Sequence, residues 1–166
     1  MVALACVLVA CVKESPVATT INVTSPAFGN NAAIPARYTC SGEDVSPPIR
    51  WSGLPGGAQS MALTVIDPDA AGKPFVHWIV FNLPVSTELP DGGPPPEGSL
   101  QGRNDFGSNG YRGPCPPPGA AHHYHIRVYA LDTKLSLRSG ATEPGFEEAS
   151  KGHVVGMGEL IGTFRR

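Results

Sequence analysis

The sequence has few charged residues and lacks the short motifs of several large protein classes. Asp, Glu, Lys and Arg make up 16% of the 166 residues, the net charge is −2, and no run of Lys or Arg occurs. These features exclude general nucleic-acid binding through a basic surface. The chain also lacks CxxC, GxSxG and HExxH motifs. It therefore carries no sign of a zinc knuckle, a thioredoxin-type site, a serine hydrolase or a metalloprotease.

Glycine and proline are abundant instead, with 20 and 18 residues in a chain that is 41% hydrophobic. They separate β-branched and aromatic runs and form no repeat, a pattern typical of a loop-rich β fold. A length of 166 residues suits one domain with its own core. We therefore predict an all-β-dominated fold with one or two short helices.

The N-terminal residues 1–11 are uncharged and almost wholly apolar. Eleven residues are too few to span a bilayer, but they resemble the end of a secretory signal. The sequence LVAC, which ends at Cys11, matches the bacterial lipoprotein box, in which the cysteine is acylated. We predict a signal segment at 1–11, a polar tether at 12–20 and a domain at 21–166, held at the cell envelope by acylated Cys11. The alternative is a buried N-terminal strand in a cytoplasmic protein.

The cysteines divide into two pairs. Cys6 and Cys11 belong to the N-terminal segment, which leaves Cys40 and Cys115 in the predicted domain. An even number of cysteines in an oxidising compartment favours a Cys40–Cys115 disulfide. Two separate thiols are the alternative.

Apolar runs and alternation predict the strands, which we place at 21–23, 49–51, 60–66, 76–83, 123–131 and 160–164. On the 123–131 strand, Tyr124 and Ile126 should face the core, and His123 and His125 the solvent. Residues 86–120 form a long loop, and residues 144–157 are the best helix candidate, with two or three turns.

Asp67 ends one predicted core strand, and His77 begins the next. If these strands are neighbours, both side chains reach one cleft at the end of a sheet. The carboxylate would then hold the imidazole in one tautomer and raise its pKa, which makes a good donor to phosphate. Alternatively, Asp67 bonds its own turn and His77 is a satisfied core histidine.

A Pro/Gly-rich segment, GYRGPCPPPG, forms a second candidate wall at residues 110–119. Its tight backbone can present N–H groups, with Gly113 and Cys115 among the donors. His122 and Tyr124 follow on one face of a strand, although Tyr124 also fits the core pattern. Imidazole, phenol and backbone N–H groups suit a small anion pocket better than a nucleophilic active site.

These segments resemble the phosphatidylethanolamine-binding protein family, most closely its bacterial Raf-kinase-inhibitor-like branch. The matching motifs are DPDA, HWIVFNLP, NDFGSNGYRGPCPPPGAAHHYHIRVYALD and GHVVGMGELIGTF, within residues 27–164. The resemblance implies an antiparallel β-sandwich whose small pocket accepts phosphate or phosphorylated head groups.

The resemblance also implies individual pocket residues. His122 and Tyr124 match an HRY motif in which His123 replaces the arginine, and Phe75 stands where many relatives carry a tryptophan at the pocket mouth. Cys115 stands where eukaryotic relatives carry glycine. The full ligand-binding set is Asp67, Pro68, Asp69, Phe75, His77, Gly113, Pro114, Cys115, Pro116, His122 and Tyr124.

We therefore expect a non-catalytic protein that binds a phosphate-containing or other anionic small ligand, without cofactor, metal or nucleic acid. Open strand edges would allow a homodimer. One alternative is a kinase- or protease-inhibitor module that uses the proline-rich loop at 89–96. A weaker alternative is a metal-dependent hydrolase with Asp67, His77 and His122 as ligands.

Overall fold

The computed structural model describes residues 18–86 and 88–166, so the predicted signal segment, Cys11 and most of the tether lie outside it. In this part of the chain a 3-10 turn spans Ala36–Tyr38 and one α-helix, α1, spans Glu143–Ser150. The strands are β1 (Thr19–Thr20), β2 (Asn22–Thr24), β3 (Ala32–Ala33), β4 (Ile49–Ser52), β5 (Ser60–Asp67), β6 (Phe75–Leu83), β7 (Glu88–Leu89), β8 (Leu100–Gln101), β9 (His122–Leu131) and β10 (Val154–Phe164).

The strands form two sheets. The larger has the order β1-β10-β9-β5-β6-β8, with β3 also paired to β10, and the smaller has the order β2-β4-β7. Two of these strands depart from the expected antiparallel pattern, because β1 and β3 both run parallel to β10, with Thr19 opposite Gly156 and Ala32 opposite Gly162. The predicted mostly-β fold with one or two short helices is confirmed, with one α-helix among the described residues.

The main core lies between the sheets. The small sheet contributes Val23, Ile49 and Trp51, and the large sheet contributes Tyr124 and Ile126, among others. From His123 to Ala130, β9 alternates as predicted, with its inward side chains buried and its outward ones at least partly exposed.

A second core covers the outer face of the large sheet. There Phe146 of α1 packs with Ala62, Phe81 and Leu131. β5 and β6 are therefore buried on both faces, which explains why their sequences are mostly apolar and do not alternate.

The predicted helix at 144–157 is too long. α1 ends at Ser150, and the chain from Val154 joins β10, where Gly156 lies opposite Ala130 of β9. Close packing in the sheet explains two glycines of β10, because a Cβ at Gly158 would overlap the carbonyl of Ile21 and one at Gly156 would crowd Pro55.

The expected loop at 86–120 contains the short strands β7 and β8. Trp78 donates from its indole N–H to Gln101 at 2.8 Å, which fixes β8 beside β6. The proline-rich part is also attached, since Leu89 is 2% exposed and Asp91 pairs with Arg37 at 3.0 Å.

Candidate functional site

Three strand ends meet at one edge of the large sheet. β5 lies between β6 and β9 and runs antiparallel to both, so its C-terminal end lies beside the N-terminal ends of its neighbours. Asp67 ends β5, Phe75 and His77 begin β6, and His122 and Tyr124 begin β9. The topology thus brings together residues that are up to 57 positions apart, as Asp67 and Tyr124 are.

A cavity of about 310 Å³ opens at this edge. The residues lining it are Asp67, Asp69, Ala70, Ala71, Phe75, His77, Phe106, Cys115, Pro116, Pro117, His122 and Tyr124. Eight of the eleven predicted site residues are in this set. Pro68, Gly113 and Pro114 are not, and Ala70, Ala71, Phe106 and Pro117 are additional.

Asp67 is the buried anchor of the site, with 4% of its surface exposed. Its Oδ2 accepts a hydrogen bond from Nδ1 of His122 at 2.7 Å, and its Oδ1 accepts one from the backbone N–H of Asp69 at 2.8 Å. Asp67 therefore closes its own turn and also orients an imidazole. The prediction that Asp67 orients His77 was wrong, because the imidazole that it binds is that of His122.

His77 is held by the backbone instead. Its Nδ1 donates to the carbonyl of Arg112 at 2.7 Å, and its side chain is almost fully buried. Burial lowers the pKa of His77, because desolvation outweighs the opposing effects of the Arg112 carbonyl and the Asp67 charge. The expectation of a raised pKa was therefore wrong, and the neutral form is favoured.

The two histidines have the same tautomer. A carbonyl or carboxylate oxygen can only accept, so Nδ1 carries the proton in both His77 and His122. In each neutral ring Nε2 is then an acceptor, and it becomes a donor only when the ring is protonated.

Tyr124 supplies an uncommitted hydroxyl. The residue is 0% exposed, and its hydroxyl finds no hydrogen-bond partner among the described residues. Burial, followed by the charge of Asp67, raises the pKa of Tyr124, so it stays a neutral O–H donor. A buried hydroxyl without a partner is costly, which makes it a candidate ligand contact.

Asp69 lies at the rim and holds His123. Its Oδ2 accepts from the backbone N–H of His123 at 2.8 Å and from Nδ1 of the same residue at 2.7 Å. These bonds lower the pKa of Asp69. Asp67 and Asp69 therefore each accept hydrogen bonds from a histidine of β9, and their main effect is to position that strand.

An aromatic cluster forms the mouth. The rings of Phe75 and Phe106 are 4.9 Å apart, and the Phe106 ring lies 5.5 Å from that of His77. The guanidinium of Arg112 stacks 5.1 Å from the Phe106 ring, which remains 41% exposed. Sequence reasoning missed Phe106, although a single large apolar residue in the polar loop NDFGSNG was a usable signal.

The proline-rich wall is fastened to the segment before β4. Cys40 and Cys115 form a disulfide with their Cα atoms 5.4 Å apart, the pairing expected from the sequence. Gly113 was expected to offer its N–H to a ligand, but that group donates to Asp44 at 2.7 Å. Gly113 packs so closely that a Cβ would overlap the Tyr38 carbonyl, so it has a structural role in the wall.

Comparison with known proteins identifies the family. The sequence profile of the phosphatidylethanolamine-binding protein family matches residues 24–165. The chain belongs to the phosphatidylethanolamine-binding protein (PEBP) family. It is 50% identical to a UPF0098 protein of Methanothermobacter thermautotrophicus over 151 residues, which cover 88% of this chain and 99% of that protein.

A structural relative and a second sequence relative support this assignment. The crystal structure of E. coli YbcL, described as a new member of the mammalian PEBP family, superposes with a TM-score of 0.83 and 34% identity, covering 88% of this chain and 98% of YbcL. A Mycobacterium tuberculosis protein that bears the lipoprotein name LppC is 40% identical over 151 residues, which are 90% of this chain and 75% of that protein.

Residues 18–86 and 88–166 of this PEBP-family chain contain neither a metal-binding cluster nor a membrane-spanning helix. No group of three or more His, Cys, Asp or Glu side chains there has an arrangement that could hold a metal ion, and this includes the set of Asp67, His77 and His122. No helix in the same residues has both the length and the apolar character needed to cross a membrane.

Proposed function

We propose that this chain is a non-catalytic binding protein whose cavity accepts phosphate or a phosphorylated head group. The observation that carries the proposal is the convergence of two Nδ1-anchored imidazoles and an unpartnered buried hydroxyl, from His77, His122 and Tyr124, on one small cavity. Such fixed polar groups in a mostly apolar pocket are typical of small-molecule sites.

The composition of the lining supports binding without catalysis. The residues around the cavity include no serine, threonine or lysine, and Cys115 is in a disulfide. Among the side chains that commonly form covalent intermediates, and apart from the disulfide-bonded Cys115, the lining holds only Asp67, Asp69, Tyr124 and the two histidines. Asp67 and Asp69 already accept hydrogen bonds from the β9 histidines.

Calorimetric titration of the full chain with O-phosphoethanolamine tests the proposal. We expect saturable binding that EDTA does not change and that His77→Ala weakens by about tenfold or more. His125→Ala is the matched control, because His125 lies on β9 but pairs with Glu159 on the outer face. Absence of binding would refute the proposal and favour the interaction-module alternative, and binding that EDTA removes would favour a metal site.

We also propose that the chain is an envelope lipoprotein acylated on Cys11. The motif that ends at Cys11 and the lipoprotein name of a relative support this. In a bacterial host, the full chain should fractionate with membranes, and Cys11→Ser should release it. A wild-type chain found only in the soluble fraction would contradict the proposal.

A further inference from the structure

The hydrogen-bond donors and acceptors of the cavity do not match all phosphates equally. Nδ1 of His77 is turned to the Arg112 carbonyl in the wall, and Nδ1 of His122 is turned to Asp67, both at 2.7 Å. Each ring therefore has only Nε2 left for a ligand. The third group, the hydroxyl of Tyr124, can donate because it has no partner among the described residues.

His77 should present Nε2 as an acceptor. Its ring is enclosed by Phe75, Phe106 and Tyr124 at centroid distances of 5.1 to 5.5 Å, and 3% of the residue is exposed. It has no carboxylate hydrogen bond within the described residues, unlike His122. The charged or titratable groups that face these two histidines are Asp44, Asp67, Asp69, Arg112 and Tyr124.

His122 has two possible states, and both leave an acceptor in the cavity. As an imidazolium it donates from Nε2, and the Asp67 carboxylate neutralises its charge. As a neutral ring it adds a second acceptor to that of His77. In either state at least one ring nitrogen needs a proton from the ligand.

A phosphate monoester in its monoanionic form carries one P–OH group and two further unesterified oxygens that accept. A phosphodiester has no P–OH, and a monoester dianion has no proton and brings a second negative charge beside Asp67. We infer that the cavity selects monoanionic phosphate monoesters over phosphodiesters, with Nε2 of His77 accepting the ligand proton and Tyr124 donating to an unprotonated oxygen. This inference rests on the proposed function and specifies its ligand class.

Calorimetry with a matched pair of ligands tests the selectivity in the full chain. O-phosphoethanolamine is a monoester, and glycerophosphoethanolamine is the diester with the same amine. At pH 6 we expect the monoester to bind at least about tenfold more tightly, because the diester leaves a buried acceptor unpaired. Between pH 6 and 8 its affinity should fall by up to about tenfold per pH unit, since the second pKa of a phosphate monoester is about 6.

Equal or tighter binding of the diester would overturn the inference and leave the proposed function intact. Monoester affinity that rises toward pH 8 would do the same. Binding of neither ligand at any pH would overturn the proposed function and the inference with it.

Two further measurements locate the effect at His77. In His77→Phe the preference for the monoester should shrink to within about threefold, whereas His125→Gln should keep it. Because His77→Phe also removes the bond to Arg112, nitrogen NMR of the wild-type imidazoles provides a test that needs no variant. We expect the Nδ1–H tautomer for His77 at neutral pH, and an Nε2–H tautomer would refute the inference.

Discussion

Replacing Tyr124 by phenylalanine should raise the free energy of unfolding and, at the same time, lower the affinity for the ligand. The change removes one oxygen atom and keeps the ring, which is fully buried in the core between the sheets. The hydroxyl has no partner among the described residues, so folding desolvates it without a compensating hydrogen bond.

The expected change in stability follows from that missing bond. An unsatisfied buried polar group costs about 1 to 3 kcal/mol, so Tyr124→Phe should raise the free energy of unfolding by up to that amount. Where the hydroxyl of a buried tyrosine has a hydrogen-bond partner, the same substitution lowers the free energy of unfolding.

The expected change in binding has the opposite direction. A hydrogen bond to a charged group contributes about 1.5 to 3 kcal/mol, and 1.4 kcal/mol corresponds to tenfold in affinity. Tyr124→Phe should therefore weaken the binding of O-phosphoethanolamine by roughly 10- to 150-fold.

Urea unfolding and calorimetry on the same samples measure both quantities. Tyr129→Phe is the control, because Tyr129 lies on the outer face of β9, with its hydroxyl 3.5 Å from Thr64, and should leave affinity unchanged. If Tyr124→Phe lowers stability and leaves affinity unchanged, the hydroxyl contributes to the core and has no role in the site.

Three other predictions concern the frame of the site. Removing the disulfide with Cys40→Ala and Cys115→Ala should lower the free energy of unfolding by about 2 to 4.5 kcal/mol, because the bond closes a loop with a sequence separation of 75. Urea unfolding against the oxidised wild type measures this change, and no loss of stability would contradict the prediction. Because the folded pKa of His77 is lowered, the unfolded chain takes up a proton first as pH falls below about 6.5, so stability should be full above that pH and decrease below it. His77→Gln should flatten this decrease in urea unfolding between pH 5 and 8, and an unchanged profile would show that other groups cause it. Gly158→Ala should cost about 2 kcal/mol or more, because its Cβ would overlap a backbone carbonyl, whereas Gly56→Ala, with open space around it, should be nearly neutral in thermal unfolding.

The sequence predicts the elements that hold the site better than the contacts within it. The runs that became β5 and β6 are long and apolar because both of their faces are buried, and the alternation of β9 follows from having one buried face. Such patterns are local and can be read from the chain. The helix prediction failed beyond Ser150 because pairing with β9 decides the conformation from Val154 onward.

Which side chains form hydrogen bonds with each other in the site depends on the order of the strands in the sheet. Asp67 is ten residues from His77 and 55 from His122, so sequence proximity favoured the wrong histidine. The tautomers depend on Arg112 and Asp67 oxygens that no local pattern identifies. Whether the site residues bind the expected ligand stays a prediction.

The parallel pairing of β1 with β10 fixes how far the cavity lies from the point where the described chain enters the large sheet. Thr19 lies beside Gly156, which is opposite Ala130, whereas the cavity begins at His122 at the other end of β9. At about 3.3 Å per residue, these eight residues of strand separate the chain's entry into the sheet from the cavity by roughly 26 Å. The cavity mouth and the point where the described chain enters the large sheet therefore lie toward opposite ends of β9, so an attachment made through the N-terminal side would leave the mouth unobstructed.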